Sequence, residues 1–165
     1  MAFVLTRPVT PGGAGGTGVD GLTITTINGQ PMLTLVDTTR ANKILTVAEN
    51  PIVWNDNRLT NNDWIKIGSA ANAESAYVAT FDGTIVASTG QCENVRNNDK
   101  IIHVFINNTN KGAIGTLSGP NIESYTNTAL NIDFNQGDQI RLQARDGTRG
   151  PIEDTVVKLI LKWRG

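Results

Sequence analysis

Clusters of Asn, Asp and Gly cut this chain, from Leu22 onward, into short runs rich in β-branched and aromatic residues. The clusters are Asn28-Gly29, Asn55-Asp56-Asn57, Asn61-Asn62-Asp63, Asp82-Gly83, Asn97-Asn98-Asp99, Asn107 to Asn110, Gln136-Gly137-Asp138 and Asp146-Gly147. Punctuation this frequent leaves no room for long helices. It predicts many short strands in a sandwich or barrel. Asn28-Gly29, between the runs 22–27 and 32–36, reads as a hairpin, because both central positions of a type I′ turn need positive φ. Further strands are expected at 43–47, 52–54, 63–67, 76–81, 84–87, 101–106, 113–117, 124–126, 130–134, 139–144 and 155–163. A turn or two of helix is all that 70–76 offers.

Alternation sharpens the reading near the C-terminus. Leu130, Ile132 and Phe134 share one face, with Asn131 and Asp133 on the other. Ile140, Leu142 and Ala144 alternate with Gln139, Arg141, Gln143 and Arg145. Period-two patterning means one buried and one wet face. The run 155–163 is apolar at Val157, Leu159, Leu161 and Trp163. Its second face, Val156, Lys158, Ile160 and Lys162, is mixed, as expected of a strand that meets something beyond its own core.

Residues 1–18 differ. They hold Pro8, Pro11, the tract Gly12-Gly13-Ala14-Gly15-Gly16-Thr17-Gly18 and one charge, Arg7. Such a segment makes neither helix nor central strand. The expected organisation is an extended arm, 1–18, followed by a single β domain, 19–165. Within that domain, an N-terminal hairpin covers 19–48 and the main body runs from about 44 to 165. The apolar tip Phe3-Val4-Leu5 with Arg7 is the candidate docking element.

Composition removes several function classes. In 165 residues, 14 Lys+Arg face 15 Asp+Glu, and only 18% of residues are charged, while Asn numbers 18 and Thr 20. A near-neutral chain has no electrostatic reason to coat nucleic acid or an anionic membrane. The single Cys excludes an intramolecular disulfide framework. No apolar run has membrane-spanning length, and the start lacks a signal-peptide pattern.

Catalytic chemistry is sparse, and no enzyme is expected. His103 is the one histidine, sharing a strand face with Ile101 and Phe105. Cys92 lies eleven positions earlier. Pairing the two would make a nucleophile, but a lone Cys in a β protein is more simply a small buried apolar group. Gly13, Gly15 and Gly18 form a GxGxxG with no strand before it and no helix after it, so it carries no phosphate site. Asp133 with Asp138, and Asp146 with Glu153 and Asp154, are the available carboxylates. Most occupy turns, where Asp has a backbone role, and no EF-hand spacing accompanies them. No cofactor or metal is expected. Arg141 and Arg145 form a cationic stripe suited to a carboxylate-rich neighbour. Trp54 and Trp64 flank the Asn-rich stretch 55–63, an arrangement suited to sugar, although an aromatic packed into the core is commoner.

The run "LNIDFNQGDQIRLQAR" followed by "TVVKLILKW" resembles the end of a C1q/tumour-necrosis-factor-like jelly roll: strand, Gly-Asp turn at Gly137-Asp138, amphipathic strand, loop and final core strand. "KIIHVFINN" resembles an earlier strand of that family. The resemblance implies an antiparallel jelly-roll or β-sandwich that assembles as a homotrimer, with His103, Phe105, Arg141, Arg145 and Trp163 as interface candidates. The Pro/Gly-rich arm adds a likeness to capsid decoration (cement) or head-fibre proteins of tailed phages. Together these imply a structural protein on the virion surface, made in the host cytoplasm, whose partner is the major capsid protein. A receptor- or glycan-binding tail-fibre tip, contacting host-surface glycan through Trp54 and Trp64, is the alternative.

Overall fold

The first Asn-Gly pair turns the chain back as its sequence predicts. Asn28 and Gly29 sit at φ 47° and 78°, the left-handed values of a type I′ turn. The computed structural model describes residues 22–68, 75–94, 99–118, 121–145, 147 and 150–165. The predicted arm, with Phe3, Val4, Leu5 and Arg7, lies outside them, as do most of the stretch 70–76 and the arm glycines. The turn joins β1 (Thr23–Ile27) to β2 (Gln30–Asp37). A 3-10 turn at Thr38–Arg40 leads to β3 (Lys43–Thr46), and the three strands form a small sheet in the order β1-β2-β3.

The remaining strands are β4 (Asn50–Leu59), β5 (Trp64–Ile67), β6 (Tyr77–Val78), β7 (Gly83–Asn94), β8 (Lys100–Ile106), β9 (Thr109–Leu117), β10 (Asn121–Asn127), β11 (Ile132–Phe134), β12 (Gln139–Arg145) and β13 (Ile152–Trp163). They run in the order β10-β7-β13-β4-β5-β12-β8-β9, with β11 beside β7 and β6 beside β12. Every pairing is antiparallel. The sheet folds over between β4 and β5, which share only the pairs Trp54↔Ile67 and Asn55↔Lys66. One layer is therefore β10-β7-β13-β4 and the other β5-β12-β8-β9. This is the all-β antiparallel sandwich that the alternation predicts, with neighbours far apart in sequence, as in a jelly roll.

The core lies between the layers. Trp54, Ile85, Val157, Leu159 and Leu161 enter from one side, and Ile102, Val104, Ile114, Ile140 and Leu142 from the other, all without exposed surface. The open ends of the two layers meet around Tyr125 of β10. Its ring lies so close to Gly90 of β7 and Gly115 of β9 that a Cβ on either would sit 2.3 and 2.0 Å from ring carbons. The Tyr125 hydroxyl hydrogen-bonds Ser88 Oγ at 2.8 Å, and burial pushes its phenol up to about 12.

Arg40 holds the small sheet to the sandwich. Its guanidinium donates to three backbone oxygens of the main body: Leu130 O at 2.7 Å, Val86 O at 2.8 Å and Thr128 O at 2.7 Å. It also pairs with Asp37 at 2.6 Å. Lys43 reaches Asp133 at 2.6 Å, and Asp133 in turn takes Thr84 Oγ1 at 2.7 Å and Arg164 at 2.9 Å. Burial works to raise the Asp133 pKa, but hydrogen bonds from Lys43 and Thr84 and the charge of Arg164 outweigh it, and the net shift is down.

Two strands run further than their sequences suggest. The cluster Asn55-Asp56-Asn57 has the composition of a turn, yet it continues β4, because Asn55 and Asp56 pair with Val156 and Thr155 of β13. An Asn cluster makes a turn only where the backbone lacks a neighbouring ladder. Likewise β7 continues to Asn94 because β10 and β13 flank it.

Candidate functional site

The outer face of the β5-β12-β8-β9 layer gathers four of the five residues proposed as interface contacts. Alternation on β12 sends Ile140, Leu142 and Ala144 inward and Gln139, Arg141, Gln143 and Arg145 outward. On β8, Ile102, Val104 and Ile106 are inward and Ile101, His103 and Phe105 outward. The antiparallel register sets Arg141 opposite Phe105, Gln143 opposite His103 and Arg145 opposite Ile101. On the other side of β12, Trp64 of β5 stands opposite Gln143.

These outward residues build a cation–aromatic cluster. The Trp64 and Phe105 rings pack edge to face, 4.9 Å apart at 70°. The Arg141 guanidinium lies 5.6 Å from the Trp64 ring, and that of Arg145 lies 5.9 Å from Phe105. The arrangement covers Phe105 so well that only 7% of it is exposed, although it is on the solvent side of its strand. Both Nε atoms are buried and lack a hydrogen-bond partner. Arg141 reaches Gln139 Oε1 at 3.4 Å, and among the described residues neither arginine forms an ion pair. Two positive charges thus sit on an aromatic floor without a counter-charge among the described residues. Gln143 donates to Asn62 O at 2.9 Å, and the His103 ring meets the Asn110 side chain at 3.3 Å.

The fifth interface candidate is elsewhere. Trp163 is 8% exposed and packs edge to face with Phe81 and Phe134, at 5.3 and 6.2 Å. It belongs to the core, because the inward parity of Val157, Leu159 and Leu161 carries it inside. The Trp54–Trp64 pairing is corrected in the same way. Trp54 has no exposed surface and its indole Nε1 finds no partner, so it is unavailable to a sugar. Trp64, on the outer face, remains available.

The residues considered for catalysis are separated. Cys92 is buried in the core, and burial pushes its thiol pKa up, while His103 is on the outer surface of the opposite layer. Asp133 is engaged by Lys43, Thr84 and Arg164. Asp138 is tied to the Asn135 backbone N–H at 2.7 Å and to Asn107 Nδ2 at 2.6 Å. Both carboxylates are accounted for by structure. Among the described residues no group of three or more His, Cys, Asp or Glu side chains converges to hold a metal.

A second surface was only half legible in the sequence. Among the described residues, six of the nine exposed large apolar side chains belong to the small N-terminal sheet and its ends: Leu22, Ile24, Leu33, Val36, Ile44 and Val47. Ile24 faces Leu33 across β1 and β2, at 65% and 45% exposure, and Val36 faces Ile44 across β2 and β3. Asp37, Arg40 and Lys43, the charged side chains of the small sheet's strands and the 3-10 turn, are drawn to one end by their bonds to each other and to the sandwich.

Fold and site together define a β-sandwich with a cationic face on one layer and an apolar sheet appended at its N-terminal side. No family model and no curated protein matches the chain. Among solved structures it is similar to the CBM36-1 domain of a multidomain xylanase from the hindgut metagenome of Trinervitermes trinervoides. The identity there is 16% with a TM-score of 0.46, over 68% of this chain and 96% of that one. A family 35 carbohydrate-binding module from Clostridium thermocellum is similar at 13% identity and a TM-score of 0.36, over 66% of this chain and 97% of that one. Both are loose likenesses, and the chemistry of the face rests on its own residues.

Proposed function

We propose that this is a non-enzymatic assembly protein of a virion surface, a capsid decoration or head-fibre protein that docks through its N-terminal sheet and arm. The observation that carries the reading is the concentration of exposed apolar side chains on the small sheet. Single exposed apolar residues are ordinary, but a cross-strand pair such as Ile24 and Leu33, both strongly exposed on one face of this appendage, marks a contact surface. β1 adds a sheet edge without a charged residue, the kind of edge that pairs readily with another strand. The sandwich then stands as the projecting head, and in this reading it assembles as a homotrimer.

The test is reconstitution on particles stripped of the protein. Ile24→Lys with Leu33→Lys is expected to abolish particle binding while leaving the melting temperature of the head unchanged, since both residues are exposed. Normal decoration by that variant would overturn the docking role of the sheet. Light scattering should give about three times the 17.7 kDa chain mass, and a stable monomer at micromolar concentration would overturn the trimer.

A further inference from the structure

We propose that the cation–aromatic face of the β5-β12-β8-β9 layer binds a carboxylate-bearing polysaccharide, a polyuronate. This site is separate from the docking sheet and does not depend on that reading. A guanidinium is planar and offers parallel N–H groups that match a carboxylate two at a time. Arg141 and Arg145 are held in place by stacking on Trp64 and Phe105. Neither forms an ion pair with a described residue of this chain. Partly desolvated charges without a counter-ion cost stability, and an incoming carboxylate offsets that cost.

Spacing argues for a polymer over a single acid. Arg141 and Arg145 are four residues apart on one strand, which places their Cα atoms roughly 13 Å from each other. One small carboxylate cannot reach both, whereas a chain with a carboxylate on every residue engages both and gains from the second contact as an intramolecular event. The groups between them argue for sugar. Gln143 is on the same face, its amide nitrogen already given to Asn62 O, and its carbonyl oxygen is placed for a hydroxyl. The His103 and Asn110 side chains add further polar atoms beside it. The overall charge of −1 speaks against a nucleic acid partner, whose binding needs a broader basic surface.

The test uses the full chain with polygalacturonate, its fully methyl-esterified form and poly-glutamate, followed by calorimetry at two salt concentrations. Binding is expected to polygalacturonate, weaker at the higher salt. Methyl esterification should abolish it, and poly-glutamate should bind at least tenfold more weakly. Arg141→Gln and Arg145→Gln should each lose roughly tenfold or more, as hydrogen bonds to charged groups imply. Arg58→Gln, an exposed arginine on the other layer, removes the same charge and should bind like the parent. Arg141→Lys with Arg145→Lys keeps charge but not the planar fork, and should also weaken binding. The wild-type comparison of the acid with its ester decides the matter even if the glutamine variants fail to fold. No binding to polygalacturonate, or equal binding to the ester, would overturn the proposal. Equal binding to poly-glutamate would overturn its saccharide specificity. A fall in oligomer mass in the glutamine variants would also overturn it, assigning the face to a second copy of the chain.

Discussion

Arg40→Ala should release the small sheet from the sandwich without unfolding the sandwich. Arg40 is the residue that most directly joins the two. Its side chain is only 15% exposed, and it donates to Leu130 O, Val86 O and Thr128 O while pairing with Asp37. Hydrogen bonds to a charged group contribute about 1.5–3 kcal/mol each. Thr128 O is at an exposed position and regains water when the arginine is lost, so the upper end of that range does not apply three times over. The exposed part of the Asp37 pair adds little. Truncation leaves Val86 O and Leu130 O without their donor and Asp37 without its cation. A loss of about 3–5 kcal/mol is expected, as for breaking other partly buried charge networks. For a domain of this size roughly 2–4 °C accompanies each kcal/mol, which predicts a fall of about 10 °C in the transition that reports the small sheet. Hydrogen exchange should accelerate in β1, β2 and β3 and change little in β7, β8, β12 and β13. A fall of less than about 2 °C with unchanged exchange in β1–β3 would refute the reasoning, since it would mean that the apolar contacts of the small sheet hold it without this latch.

Trp54→Ala should destabilise the whole sandwich by about 3–5 kcal/mol in chemical denaturation, as for other fully buried aromatics, whereas Trp54→Phe should be much milder because the indole N–H has no partner to lose. Trp64→Ala, at a half-buried ring, should cost less than Trp54→Ala, about 1–2 kcal/mol from the lost aromatic contact with Phe105, and free the Arg141 side chain. Gly115→Ala would place a Cβ 2.0 Å from the Tyr125 ring; displacing that ring should cost about 1–3 kcal/mol or more and weaken the Tyr125–Ser88 bond, seen as a lower midpoint in urea. Acid should act first on the small sheet. Asp37 and Asp133 both have folded pKa values below their ordinary 3.8, where the hydrogen bonds and charges of Thr39, Arg40, Lys43, Thr84 and Arg164 outweigh the opposing effect of burial. Their stabilisation is complete above about pH 4–5 and is lost as pH falls through the lowered values, so stability should be flat above pH 5 and drop below pH 4, with β1–β3 exchanging first.

Much of the fold could be read from side-chain order. The inward set on β12 and β13 follows from strict alternation, and the Asn28-Gly29 turn from the φ values that few residues besides Asn and Gly adopt easily. The same alternation put His103 and Phe105 on one face and Arg141 and Arg145 on another strand's outward face. It could also have moved Trp163 inward, since that residue shares parity with Val157, Leu159 and Leu161; only the assumption of an interface placed it outside. Trp54 departs from its expected place for a different reason. The Asn-rich stretch after it looks like a loop, but β13 supplies a ladder for that backbone, and the tryptophan falls on the strand's inner side. Beyond its pairing with Asp37, Arg40 gave no local signal, because its partners in the sandwich lie 46 to 90 positions away in the chain.

What the sequence alone determined is the strand-rich class, most of the turns and the two-faced character of each strand, since these depend on neighbours one to four residues away. What only the tertiary structure decided is which outward residues meet. Trp64 and Phe105 are 41 positions apart, and their arginines sit on a third strand, β12, that runs between them. Register across β5, β12 and β8 brings the four together, and with them two positive charges that pair with no described carboxylate, on which the binding proposal stands. The docking sheet follows the same division: its apolar residues are written in the sequence, but that they stay exposed after folding is decided by the sandwich, which completes its core without them.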